Sequence, residues 1–65
     1  MVDSKSTVEE LFSPSDLAGY LKVPISTVYQ WNYHGSGPRV LKVGRHVRYR
    51  KSDVERWLVA QEQAS

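Results

Sequence analysis

Apolar residues recur at helical spacing in three segments of the 65-residue chain and at every second position in a fourth. Residues 1–10 are mostly polar and show no such period, so we predict a flexible N-terminal tail there. The pattern fades again at residues 62–65, which we predict to be a short flexible tail. One small folded domain over residues 11–61 is expected between them.

The stretch FSPSDLAGYL predicts the first helix. Ser13 is a good N-cap, Pro14 suits the first helical position, and Asp16 has the spacing that completes a capping box. Three apolar residues then share one helical face: Leu17, Ala18 and Leu21. The helix is expected to end at KVP, because a residue that precedes proline avoids helical geometry.

The stretch ISTVYQWNYH predicts a second helix, from about Pro24 to His34. Ile25, Val28 and Trp31 recur at i, i+3 and i+6 and predict a buried stripe. The side chains that point away from this stripe are Ser26, Thr27, Tyr29, Gln30 and Tyr33. The glycines and the proline of GSGP stop the helix. Two short helices joined by about three residues are typical of a helix-turn-helix.

Residues 41–50 alternate between apolar and polar on both sides of Gly44 and Arg45. This predicts a β-hairpin with a tight turn in which glycine adopts a positive φ. We expect one face of the hairpin, with the apolar residues of both strands, to pack on the helices. The outward face is then expected to carry the polar residues, which are Lys42, His46, Arg48 and Arg50.

The stretch KSDVERWLVAQEQAS predicts a third helix. Ser52 and Glu55 have capping-box spacing, and Asp53 adds a second first-turn acid that is favourable to the helix dipole. An apolar stripe follows at Val54, Trp57 and Leu58. The order of elements predicts a mainly α protein with a small β-hairpin, which is a winged helix-turn-helix.

The charges are distributed unevenly, although the net charge is only +2. Residues 1–21 hold one lysine and four acids, residues 22–51 hold seven basic residues and no acid, and residues 52–65 hold one arginine and three acids. A basic middle between acidic ends favours a polyanionic partner that docks on one face. An ordinary charged surface that keeps a small domain soluble is the alternative.

The composition argues against several other classes of protein. No apolar run approaches the roughly 20 residues of a membrane span, and the N-terminus is no signal peptide. The chain has no cysteine, and its two histidines lack neighbouring ligands, so we expect no metal and no other cofactor. No nucleophile–base arrangement is present, so we expect no enzyme activity. A cysteine-free chain also fits a cytoplasmic protein.

The outward residues have the chemistry that reads duplex DNA. Glutamine can bond base edges, serine and threonine can reach bases or phosphates, and tyrosine can reach phosphates. Arg45 at the tip of the hairpin is suited to a narrow minor groove, whose negative potential attracts arginine. Basic residues also protect a sheet edge against aggregation, but one or two are enough for that. The cluster of basic residues continues from the turn to Lys51. This favours a DNA-binding wing, in which the hairpin of residues 41–50 lies along the DNA backbone.

Four stretches in this order resemble the excisionase-type branch of the MerR-like winged-helix DNA-binding domains: LKVPISTVYQW (21–31), GSGP (35–38), KVGRHVRY (42–49) and SDVERWL (52–58). The resemblance covers about residues 11–60. It implies that the second helix enters the major groove, with Ser26, Thr27, Tyr29 and Gln30 toward the DNA and Tyr33 nearer the backbone. The candidate DNA-binding residues of the wing are Arg39, Lys42, Arg45, His46 and Arg48. Pro24 departs from the family, since many relatives have a small polar cap there.

The first functional hypothesis is an excisionase, also called a recombination directionality factor. Such proteins bind double-stranded DNA cooperatively, bend it, and favour excision of a prophage or similar element by a partner integrase. A single module covers only about 600–1,000 Å² of DNA-facing surface, so several copies are expected to bind side by side. Two alternatives stay open: a small MerR-like transcriptional regulator, and a protein-interaction module whose basic face meets an acidic partner.

Overall fold

A computed structural model describes residues 10–64 of the chain. It contains three helices and a small antiparallel sheet, arranged as a winged helix-turn-helix, which confirms the predicted fold class. In chain order the elements are β1 (Leu11–Phe12), α1 (Pro14–Leu21), α2 (Ile25–His34), β2 (Leu41–Val43), β3 (His46–Arg50) and α3 (Lys51–Ala64). The predicted N-terminal tail lies outside the described residues except for Glu10, and Ser65 lies outside them too.

The first helix forms as its local sequence predicts. The Ser13 hydroxyl accepts a hydrogen bond from the Asp16 backbone N–H at 3.0 Å, and the Asp16 carboxylate accepts one from the Ser13 N–H at 3.2 Å. This reciprocal pair satisfies two backbone donors at the helix start. At the other end Lys22 adopts a left-handed conformation with φ of 59°, and the chain then turns toward α2.

The sheet has three strands in the order β1-β3-β2, and β1 was not predicted. Leu11 lies opposite Arg50 and Phe12 lies opposite Tyr49, so a two-residue strand covers the second edge of β3. The Glu10 carbonyl extends this pairing by accepting a hydrogen bond from the Lys51 N–H at 3.2 Å. A strand this short has no readable alternation, and its pairing with β3 depends on the tertiary fold.

The faces of the hairpin differ from the prediction. Directly opposed residues of an antiparallel pair lie on the same face, and here Lys42 opposes Val47 while Leu41 opposes Arg48. Lys42 therefore shares the face of Val47 and Tyr49, so its predicted place beside His46, Arg48 and Arg50 is wrong. Because the turn has two residues, each odd-numbered residue of β2 pairs with an even-numbered residue of β3. The residues of β2 therefore lie on the faces opposite to those expected from counting every second residue along the chain.

The hydrophobic core lies between the helices and the inner face of the sheet. Its buried residues are Phe12, Leu17, Ala18, Val28, Tyr49 and Val54. Leu21, Trp31 and Leu58 pack against them and are partly buried. These contacts confirm the predicted core faces of α1 and α3. The stripe of α2 is only partly confirmed, because Ile25 is 39% exposed.

The third helix is longer than predicted at both ends. It begins at Lys51, so Ser52 lies inside the helix rather than before it, and it continues to Ala64. Residues 62–64 are therefore helical, where we predicted part of a flexible tail. Asp53 lies in the first turn and is buried, and its carboxylate accepts a hydrogen bond from the Arg56 guanidinium at 3.0 Å.

Candidate nucleic-acid interface

The buried side of α2 is attached to the sheet by one side-chain hydrogen bond. The Tyr49 hydroxyl donates to the Asn32 amide oxygen at 2.6 Å, and Val28 beside it is fully buried. Burial raises the pKa of Tyr49 above its ordinary value of 10.0, so the phenol is a neutral donor. Our reading of the sequence missed this role of Asn32. The sequence does indicate an inward position for Asn32, because it lies four residues after Val28 and therefore on the same side of the helix.

The loop that follows α2 is held close to the helix and to α3. The rings of Trp31 and Trp57 lie 4.9 Å apart, and the Trp57 indole N–H donates to the Ser36 carbonyl at 3.0 Å. A Cβ on Gly37 would lie 2.9 Å from the Cβ of Trp31, so only glycine fits there. These contacts fix where α2 ends.

The outward face of α2 presents an exposed polar and aromatic surface. Ser26, Gln30 and Tyr33 lie within roughly 60° of one another around the helix axis, with Tyr29 beside them. All four are exposed, and Tyr33 is 87% exposed, with its ring edge-on to His34 at 5.2 Å. Thr27 is only half-buried and lies at the margin of this face.

The start of α2 carries no side-chain cap. Pro24 is the N-cap residue, in an extended conformation, and no side chain bonds to the first turn. The Thr27 N–H donates to the Pro24 carbonyl at 3.0 Å. The N–H groups of Ile25 and Ser26 precede that bond and have no helical carbonyl to receive them. An uncapped helix start of this kind is suited to an anion such as a phosphate.

The wing presents its basic residues at the turn and along its edges. Gly44 has a φ of 65°, and Arg45 beside it is exposed at the tip. Lys42 and His46 are exposed on opposite faces of the hairpin. Arg39 is also exposed, directly after the buried Pro38 and before β2 begins.

Arg48 is the candidate wing residue whose side chain is not fully exposed to solvent. It is half-buried, and its guanidinium donates to the Val47 carbonyl at 2.7 Å. The long side chain thus lies along the hairpin instead of extending from it. A phosphate contact by Arg48 requires that this hydrogen bond be exchanged or shared.

Within residues 10–64, no group of three or more metal-binding side chains is close enough to hold an ion. None of the helices in that range has both the length and the apolar character of a membrane span.

Comparison with known proteins agrees with this geometry. A family model described as a helix-turn-helix domain matches residues 11–61, which is more than half of the chain. No curated protein and no solved structure matches the chain.

Proposed function

This chain belongs to the helix-turn-helix domain family and is a DNA-binding protein, and we propose that it is an excisionase. In this role it binds double-stranded DNA by sequence, bends it together with further copies, and directs a partner integrase toward excision. The finer role is supported by the ordered motifs of residues 21–58, which resemble excisionase-type domains.

The observation that carries the proposal is the exposed face of α2 beside a basic wing. Ser26, Tyr29 and Gln30 are exposed on a helix whose opposite side is fixed by Val28 and by the Asn32–Tyr49 hydrogen bond. A helix held this way can enter a major groove without losing its core contacts. We propose that Gln30 and Ser26 read base edges, with Thr27 at the margin and Tyr29 and Tyr33 on the backbone.

The wing supplies the sequence-independent part of the binding. We propose that Arg45 enters or approaches the minor groove, and that Arg39, Lys42, His46 and Arg48 lie along the phosphates. Each cation that neutralises a phosphate releases a counterion, so the affinity depends steeply on salt. Base contacts by α2 then add the discrimination between sequences.

Arg45→Ala tests the DNA-binding site. We expect it to weaken duplex binding and to make the slope of log affinity against log salt shallower by about one, because one phosphate or groove contact is lost. Fluorescence anisotropy of labelled duplex across a salt series measures both effects. Arg56→Ala is the matched control, since Arg56 is exposed on α3 and bonds to Asp53. Equal salt slopes for the two variants would show that Arg45 does not contact DNA.

The biological role is tested separately, by excision in a reconstituted reaction. Supercoiled DNA that carries the two attachment sites is incubated with each candidate integrase encoded in the same genome, with and without the protein. We expect excision to require the protein. Excision that is unchanged by a protein that still binds the same DNA would overturn the excisionase role and favour the transcriptional regulator.

A further inference from the structure

Two exposed surfaces that include neither α2 nor Arg45 at the wing tip are complementary in charge and in apolar content. The first, the α3 strip, comprises Glu55, Leu58, Val59 and Glu62, which line a shallow groove of about 450 Å³. The second, the outer sheet face, comprises Leu11, Leu41, Val43 and Arg50, and it also holds His46 and Arg48, which belong to the proposed phosphate contacts. Neither surface uses a residue of the other.

The α3 strip is apolar at its centre and acidic at both ends. Val59 is 50% exposed, and Leu58 beside it is only partly covered by the core. Every residue from 59 to 64 is exposed, so the last turns of α3 extend beyond the packed body. Helical turns without tertiary packing contribute little stability of their own, and a partner that covers Val59 would stabilise them.

The outer sheet face carries the opposite charge and has apolar residues of its own. Leu11 and Val43 are exposed, because the register of the strands turns them away from Tyr49 and the core. Arg50 lies directly opposite Leu11 and is also exposed. No acidic residue belongs to this face, and its cations and apolar side chains match the carboxylates and apolar centre of the α3 strip.

We propose that the α3 strip of one copy docks on the outer sheet face of the next copy when both are bound to DNA. This inference rests on the proposed function, because it explains how copies bind side by side. A contact between two different surfaces is heterologous, so the copy at each end of a row keeps one unused surface and the row can continue. The surfaces are small for a stable interface, so the contact forms when DNA raises the local concentration of copies.

The first test compares a short duplex of ~15 base pairs, about one and a half helical turns, with one about four times as long. We expect the wild-type chain to bind the long duplex cooperatively, with neighbouring copies favoured about 10-fold. Val59→Glu should abolish the cooperativity and leave binding to the short duplex unchanged. Ala60→Glu is the matched control, since it adds the same charge to the neighbouring exposed position off the α3 strip. Circular dichroism confirms that both variants are folded.

A mixing experiment identifies the two surfaces. Arg50→Glu alone and Glu55→Arg alone should each lose cooperativity, because like charges then meet at every contact. An equimolar mixture should regain cooperativity. When the two variants alternate along the DNA, every second contact pairs the introduced carboxylate with the introduced guanidinium. The contacts between these pair the original Glu55 with the original Arg50, as in the wild type. Anisotropy on the long duplex measures cooperativity, and the short duplex reports any change in binding by each single copy.

The outcomes separate this inference from the proposed function. Non-cooperative binding by the wild type, or an equal effect of Val59→Glu and Ala60→Glu, would overturn the proposed contact while DNA binding stands. Failure of the mixture to regain cooperativity would show that the α3 strip has a different partner. Cooperative binding without any effect on excision would overturn the excisionase role and leave the contact intact.

Discussion

The two helices of the helix-turn-helix differ in where their polar groups are directed. At the start of α1, Ser13 and Asp16 bond to each other's backbone N–H, so the helix satisfies its own donors. At the start of α2, Pro24 offers no side-chain cap. The hydrogen bond from the Tyr49 hydroxyl to the Asn32 amide oxygen lies on the inner side of α2. Thus α1 is built for stability, whereas α2 is fixed from behind and leaves its start and outward face available to a ligand.

The largest expected effect comes from removing the attachment of α2. Tyr49→Phe should lower the free energy of unfolding by about 1–2 kcal/mol, because the Asn32 oxygen loses its partner in a partly buried position. Urea denaturation followed by circular dichroism measures the change. Tyr33→Phe removes the same hydroxyl from a side chain that is 87% exposed and should leave stability unchanged. Equal losses in the two variants would contradict the structural role of the Tyr49–Asn32 bond.

The contrast between the helix starts is tested by two serine substitutions. Ser13→Ala should lower stability by about 1 kcal/mol, since it removes the N-cap of α1, and should leave the affinity of the folded protein for DNA unchanged. Ser26→Ala should do the reverse, weakening DNA binding with little effect on unfolding. Urea denaturation and anisotropy on the same duplex measure both properties. If Ser26→Ala leaves the affinity for DNA unchanged, the Ser26 hydroxyl does not contact DNA.

The smallest expected effect is a loss of stability in alkali. Burial raises the pKa of Tyr49 above 10.0, so the folded state favours the neutral phenol. Its stabilising contribution is therefore complete below about pH 10 and is lost as the pH rises through the folded pKa. Urea denaturation from about pH 9 upward measures this loss. Tyr49→Phe lacks the ionising group and should show a shallower decline, whereas an identical decline would assign the effect to other groups.

Local signals in the sequence predicted most of the helix ends and the hairpin turn. The capping box at Ser13, the break at Val23 and Pro24, and the stop at Gly35 depend on neighbouring residues along the chain. The turn at Gly44 and Arg45 does so as well, because glycine readily adopts the positive φ found there. The outward positions of α2 and of the hairpin followed from local periods, and the resemblance implied which of them bind DNA. The structure leaves most of them exposed, while Thr27 and Arg48 are partly covered.

What the sequence by itself determined is the order of the elements, the core faces of α1 and α3, and the basic middle of the chain. The tertiary structure decided the pairing of β1 with β3, the face on which Lys42 lies, and the hydrogen bond that holds Arg48 to Val47. It also decided that Ile25 is exposed and that α3 extends to Ala64. The reason is that caps and turns depend on residues within about four positions, whereas strand register and burial depend on distant segments that meet only when the chain folds.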